Sequence, residues 1–236
     1  MLNEESYSAI HAIMAQPSLV DYPGRMAVLM FTAGCNFRCG FCHNPDLIGG
    51  HGNRTYTYRA LREKLRRCRD NWVEAVTVTG GEPTIHSSLP DTVDFLKSLG
   101  FLVKLDTNGG NPDMLERLLP KVDYLAMDYK CALAHYPQFV DFHEPGRVRE
   151  SLRLVMEKAA DYELRTTVLE GVHTPEEIRL MAEEVKECKR WYLQPFVPHD
   201  NLPAEGYRGL RRTRPACLEE LASAARAVAP NIAVRT

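Results

Sequence analysis

Residues 34–45 read Gly34-Cys35-Asn36-Phe37-Arg38-Cys39-Gly40-Phe41-Cys42-His43-Asn44-Pro45, and they follow directly on the apolar run Met26 to Phe31. Cys35, Cys39 and Cys42 therefore fall within eight residues, just past a stretch whose composition predicts a buried strand. Iron–sulfur clusters are held by Cys thiolates, and a four-iron cubane normally takes four of them. Three close thiols leave one iron with an open coordination position, which is where chemistry on a metal centre happens. Two plainer readings compete. A zinc site wants four closed ligands, commonly as two pairs; the second pair is missing, and His43 adjoins Cys42 too closely to complete a tetrahedron easily. Spacings of four and three also align the cysteines on one face of a helix as small buried hydrophobes. Gly34, Gly40 and Pro45 oppose a helix through the run. The spacing favours the cluster.

Working outward, the 236 residues suffice for one substantial core. With 44% hydrophobic and 25% charged residues and a formal net charge of −2, no basic excess argues for a nucleic-acid partner. The remaining cysteines (Cys68, Cys131, Cys188 and Cys217) are scattered, which fits a reducing compartment and not a disulfide framework. Met1 to Ser6 lacks the basic and apolar regions of a signal peptide, and Met26 to Gly34 is too short to cross a bilayer. The expectation is a soluble cytoplasmic protein with no membrane contact.

Strands are predicted at Ile10 to Ala15 and Met26 to Thr32, joined by the turn Asp21-Tyr22-Pro23-Gly24. Residues 33–54 form a long loop carrying the thiols, and loops of that length are usually functional or disordered. Strand and helix then alternate. Helices are predicted over Thr57 to Asp70, Pro90 to Leu99, Pro112 to Leu119, Gly146 to Ala160, Pro175 to Lys186 and Pro215 to Val228. Strands are predicted over Ala75 to Thr79, Phe101 to Asp106, Val122 to Met127, Tyr162 to Leu169 and Arg190 to Phe196. Such alternation implies right-handed crossovers and a parallel sheet, hence an α/β fold. From Met26 there are about six strand–helix units, against eight in a complete barrel. No repeat or linker marks a second domain. Residues 1–24 lead into the core, 25–200 form it, and 201–236 add a C-terminal loop and helix packed on the same domain.

In parallel α/β architectures ligands bind at the carboxyl ends of the strands. The thiol loop, Gly80-Gly81-Glu82, Asp106-Thr107, Asp128-Tyr129-Lys130 and Pro198-His199 each follow a predicted strand, so five motifs converge on one rim. Gly80 and Gly81 can bring bare backbone near a ligand, or simply make a tight turn. Asp106 and Asp128 can cap the segments that follow them. His43 and Asn44 can cap their loop, and His199 can be a surface residue. Arg165 and Thr167 share one face of a strand. The basic stretch Arg208 to Arg214 is either a solvated face or a surface for an acidic partner.

The Cys-x3-Cys-x2-Cys spacing with Phe41 before the last Cys, followed by Thr79-Gly80-Gly81-Glu82-Pro83, resembles the radical S-adenosylmethionine (SAM) enzymes. The approach Ile10 to Ile13 and Ser18 to Gly24, with the exit Cys42-His43-Asn44-Pro45, is most similar to the glycyl-radical-enzyme activases, and among them to the anaerobic ribonucleotide reductase branch. The resemblance implies a partial (β/α)6 TIM-like barrel, open along one side, with Cys35, Cys39 and Cys42 on a [4Fe–4S] cluster whose fourth iron takes SAM. It implies cofactor contacts by Phe41, His43, Asn44, Gly80, Gly81, Glu82, Asp106, Thr107, Asp128, Lys130 and His199, with Lys130 paired to the SAM carboxylate. A monovalent cation near Asp106 and Asp128 is part of the same expectation.

The implied activity is reductive cleavage of SAM to a 5′-deoxyadenosyl radical, which removes hydrogen from a glycine of a partner enzyme. Anaerobic ribonucleoside-triphosphate reductase is the first choice of partner, and a flavodoxin- or ferredoxin-type protein the electron donor. Rival readings are an activase of pyruvate formate-lyase or another glycyl radical enzyme, a small-molecule enzyme similar to 7-carboxy-7-deazaguanine synthase, and a non-catalytic iron–sulfur protein.

Overall fold

The computed structural model describes residues 3–14, 16–50 and 55–236; the predicted strand end at Ala15 and the loop residues 51–54 lie outside them. One sheet organises the chain, with strands β1 (Ala12–Ile13), β2 (Ala27–Thr32), β3 (Ala75–Gly80), β4 (Leu102–Thr107), β5 (Tyr124–Asp128), β6 (Tyr162–Val168), β7 (Trp191–Pro195) and β8 (Ile232–Val234) lying side by side in sequence order. β1 pairs antiparallel with β2, and every later neighbour is parallel. The sheet is a partial barrel with β1 and β8 at its edges. β8 is a seventh parallel strand that the sequence pattern did not reveal. The predicted first strand shrinks to two paired residues, Ala12 and Ile13.

The crossovers are helices α1 (Tyr58–Asp70), α2 (Leu89–Ser98), α3 (Pro112–Leu118), α4 (Tyr136–Val140), α5 (Pro145–Lys158), α6 (Pro175–Glu184), α7 (Glu205–Arg208) and α8 (Pro215–Ala225). Local chemistry sets their starts. Thr57, Asn111 and Thr174 accept hydrogen bonds from Ala60, Met114 and Glu177 backbone N–H groups, capping α1, α3 and α6. Pro90, Pro112, Pro145, Pro175 and Pro215 sit in first turns, where a missing N–H costs nothing. The short α4 and α7 lie in stretches that carry no helical period.

Side chains alternate across each strand, and the two faces of the sheet differ in kind. Val76, Val78, Val103, Leu105, Leu125, Met127, Leu164 and Val168 join the main apolar core with the helices. On the opposite face Tyr22, Ala27, Ala75 and Tyr124 form a small separate cluster that plugs the barrel's amino-terminal end. Above that plug the interior turns polar: Thr77, Lys104 and Glu163 are all buried. Buried charge requires partners, and those partners lead to the carboxyl-end rim.

Candidate active site

From the end of β2 through Cys42 the thiol loop has no helix, which removes the helical-face reading of the three cysteines. Its path is fixed by backbone hydrogen bonds. Gly34 N–H donates to Leu47 O (2.6 Å), Cys35 N–H to Ile48 O (3.2 Å), Arg38 N–H to Val140 O (2.9 Å), and Gly40 O accepts from Ala204 N–H (3.1 Å). The segments around α4 and α7 thus brace the loop from opposite sides. Phe41 packs between Phe139 and Tyr207, with ring centroids 5.0 and 5.8 Å away. Gly40 is small of necessity: a Cβ there would meet Tyr207 Cε2 at 2.6 Å and Ala204 Cβ at 2.8 Å.

Gly80 and Gly81 serve the same loop. A Cβ on Gly80 would overlap the Thr32 backbone, and Gly80 itself has φ of +128°. A Cβ on Gly81 would overlap the Gly34 carbonyl oxygen and lie 2.7 Å from its carbon. Gly81 N–H donates to Thr32 O (3.0 Å) and Glu82 N–H to Gly34 O (2.8 Å). The glycines let the end of β3 dock on the backbone that carries Cys35. Glu82, 1% exposed, accepts from Thr84 N–H (3.0 Å), Thr84 Oγ1 (2.5 Å), Thr107 Oγ1 (2.7 Å) and Asn108 N–H (2.6 Å), so its carboxylate ties β3 to β4. Burial raises its pKa despite these bonds.

The three thiols, Phe41, His43, Asn44, Gly80, Gly81, Glu82, Asp106, Thr107, Asp128 and Lys130 all line one cavity of about 310 Å³. His199 does not line it; its ring lies 5.1 Å from that of His43, and its buried Nε2 has no hydrogen-bond partner among the described residues. Phe37, Thr79, Asn108, Arg165, Thr167 and Gln194 complete the wall. Alternation puts Arg165 and Thr167 on one face of their strand without saying which face, and Asn108 gives no signal in the sequence. Its Nδ2 lies 3.7 Å from Cys35 Sγ and donates to Asn36 Oδ1 (2.8 Å), while Phe37 N–H reaches the same sulfur at 3.4 Å.

Burial pushes the Cys35 thiol up to about 12, with Glu82 adding to the effect, and the Cys39 thiol up to about 11. Cys42 is raised by burial as well. Burial lowers the His43 pKa, helped by His199 and Lys130, so this imidazole is neutral near pH 7. A chain of charge lines the same cavity as the thiols. Arg165 donates to Asp128 Oδ1 (3.0 Å) and Asp106 Oδ2 (3.2 Å), Lys130 reaches Asp128 Oδ2 (3.3 Å), and Lys104 pairs with Asp106. Burial opposes ionisation of Asp128, yet Lys130 and Arg165 hold its carboxyl at about 2. Burial likewise opposes the Lys130 charge, and Asp128 overrides it, keeping the ammonium protonated. His173 places Lys130: Leu169 N–H donates to its Nδ1 (3.0 Å), so its Nε2–H donates to Lys130 O (2.9 Å).

Among the described residues no three His, Cys, Asp or Glu side chains could together hold a single metal ion. Cys35, Cys39 and Cys42 line the cavity together, a donor set that fits a cluster with one iron left open. The expected monovalent cation does not fit. Asp106 and Asp128 are already neutralised by Lys104, Arg165 and Lys130. No helix of the described residues is long and apolar enough to cross a membrane.

Residues 29–185 match the family described as the Radical SAM superfamily, and the chain belongs to that superfamily. A Methanocaldococcus jannaschii protein assigned as a glycyl-radical enzyme activating enzyme is 30% identical over 227 residues, covering 93% of this chain and 92% of the relative. The pyruvate formate-lyase-activating enzyme of Clostridium pasteurianum is 34% identical over 125 residues, 51% of this chain and 52% of that one. Within the superfamily this is a glycyl-radical-enzyme activating type, an oxidoreductase. The fold is also that of Streptococcus suis SuiB bound to its precursor peptide SuiA, with a TM-score of 0.66 at 16% identity over 88% of this chain and 48% of SuiB.

Proposed function

We propose that Cys35, Cys39 and Cys42 hold a [4Fe–4S] cluster, that SAM binds in the adjoining cavity, and that the chain installs a radical on a glycine of a partner enzyme. The partner we favour is anaerobic ribonucleoside-triphosphate reductase, with a flavodoxin- or ferredoxin-type protein as electron donor. The observation that carries this reading is the cavity itself, lined both by the three thiols and by the Lys130–Asp128–Arg165–Asp106 chain. Bound together, cluster and SAM supply one-electron cleavage of the sulfonium and abstraction of a hydrogen atom from the glycine.

The protein's own part is binding and orientation. Lys130, kept charged by Asp128, offers a point charge to a carboxylate. Asn108 and Phe37 direct N–H groups at Cys35 Sγ, favouring a more negative cluster. Phe139 and Tyr207 pack on Phe41 and hold the loop where it lines the cavity.

The test is electron paramagnetic resonance of reduced, cluster-reconstituted protein with SAM and candidate partners. A glycyl radical doublet with the reductase is expected. A doublet only with pyruvate formate-lyase reassigns the partner; 5′-deoxyadenosine formed with small-molecule turnover and no doublet indicates a small-molecule enzyme instead. An intact cluster with no SAM binding indicates a non-catalytic iron–sulfur protein. Cys39→Ala abolishes both cluster absorbance and SAM cleavage; survival of both refutes the proposal.

A further inference from the structure

The strongest departure from expectation lies beneath the cavity, at Lys104. It stands two residues before Asp106 on β4, so the two side chains leave the strand on the same face. Its ammonium pairs with Asp106 Oδ1, and the side chain is 3% exposed. Its neighbours in register are Thr77 on β3 and Tyr124 on β5, both uncharged. The nearby acid Glu163 is engaged elsewhere, accepting from Arg235 at 2.8 and 2.9 Å and from Tyr124 Oη at 2.9 Å. Lys104 is left to Asp106.

The charges decide what the rim accepts. Asp106 and Asp128 are thus shared among three cationic side chains, Lys104, Arg165 and Lys130. Each of the four carboxylate oxygens meets a cationic side chain. An alkali ion would have to leave its water for carboxylate oxygens that cationic side chains already occupy. We propose that Lys104 is a tethered counter-ion, a positioning residue that fixes Asp106 where a bound monovalent ion would otherwise be needed. The cavity therefore takes its ligand without an alkali ion. A covalently tethered ammonium is present in every folded molecule, whereas a free ion must be captured.

The inference rests on SAM being the cavity's ligand, and its test separates the two. SAM binding to cluster-reconstituted protein is titrated in KCl, NaCl and choline chloride at one ionic strength. Wild type is expected to bind equally in all three. Lys104→Ala, which opens the ammonium's place, weakens binding about tenfold or more in choline and recovers in K⁺ or Na⁺. Lys104→Met refills the space without charge and stays weak in every salt. In parallel, the thermal midpoint of cluster-free protein is measured in the same salts, an arm that needs neither cluster nor SAM. There Lys104→Ala is stabilised by K⁺ or Na⁺ over choline, and wild type is not. No SAM binding in any salt refutes the ligand assignment while the thermal arm still judges Lys104. Tighter binding or a higher midpoint of wild type in alkali salts overturns the proposal, even if neither variant folds. So does Lys104→Ala that matches wild type in choline.

Discussion

Replacing Gly81 by Ala tests whether the Gly-Gly turn exists for the thiol loop or for a ligand. The added methyl would overlap the Gly34 carbonyl oxygen and stand 2.7 Å from its carbon, where ordinary contact begins at 3.4 Å. The obstacle is backbone, so no rotamer change relieves it. Either the loop shifts, carrying Cys35 with it, or the bonds Gly81 N–H to Thr32 O and Glu82 N–H to Gly34 O break. Overpacking costs about 1–3 kcal/mol, and losing the two hydrogen bonds costs about 2 kcal/mol, so by either route the expected loss is about 1–3 kcal/mol. Urea unfolding of the cluster-free protein reads that loss directly, and iron and acid-labile sulfide content reads the displaced thiol. Gly146→Ala is the control: it lies exposed in the first turn of α5 with nothing within 4 Å of its new methyl, and it is expected to be neutral or slightly stabilising. A Gly81→Ala protein of wild-type stability and full iron content that only binds SAM poorly would refute this reasoning and return the glycines to the ligand.

Asn108→Ala removes an N–H donor from Cys35 Sγ, so the reconstituted cluster is expected to form but to reduce at a potential lower by tens of millivolts, roughly, in a redox titration followed by paramagnetic resonance. An unchanged potential sinks the idea. Glu82→Gln turns one acceptor oxygen into a donor facing donors, and chemical denaturation should show a loss of about 2–3 kcal/mol. His173 is neutral in the fold because burial lowers its pKa, so the unfolded chain binds the extra proton more readily. Stability from this residue is complete above the ordinary histidine value of about 6.5 and declines as pH falls through the interval below it. His173→Gln is expected to flatten the pH dependence of unfolding free energy between about pH 7 and 5, and an identical slope would count against it.

Much of this architecture is legible because strand and helix periods differ. Short apolar runs ending in turn or polar residues mark the parallel strands, and early prolines mark several of the helices. What escaped detection was short. β8 is Ile232-Ala233-Val234, too brief to show any period, and it becomes a strand only because β7 offers an unpaired edge. α4 and α7 are five and four residues long, below the length at which a helix stands without tertiary support. Yet they carry Phe139 and Tyr207, which clamp Phe41.

The site shows where a one-dimensional reading reaches its limit. Residue type and position relative to strand ends brought thirteen expected residues to one cavity, because carboxyl ends of parallel strands must share a rim. Which partner neutralises which charge depends instead on register. Lys104 and Asp106 are two apart on β4, and Asp128 lies opposite Arg165 across β5 and β6, so the same period that hides the apolar residues under the helices points four charges into the barrel. The sequence holds that pattern in Leu102-Val103-Lys104-Leu105-Asp106 and Glu163-Leu164-Arg165-Thr166-Thr167. Once the strands are granted, a lysine alternating with core leucines must enter the interior, and an interior lysine must find a carboxylate. An acid read as available to an ion was, by that logic, already taken.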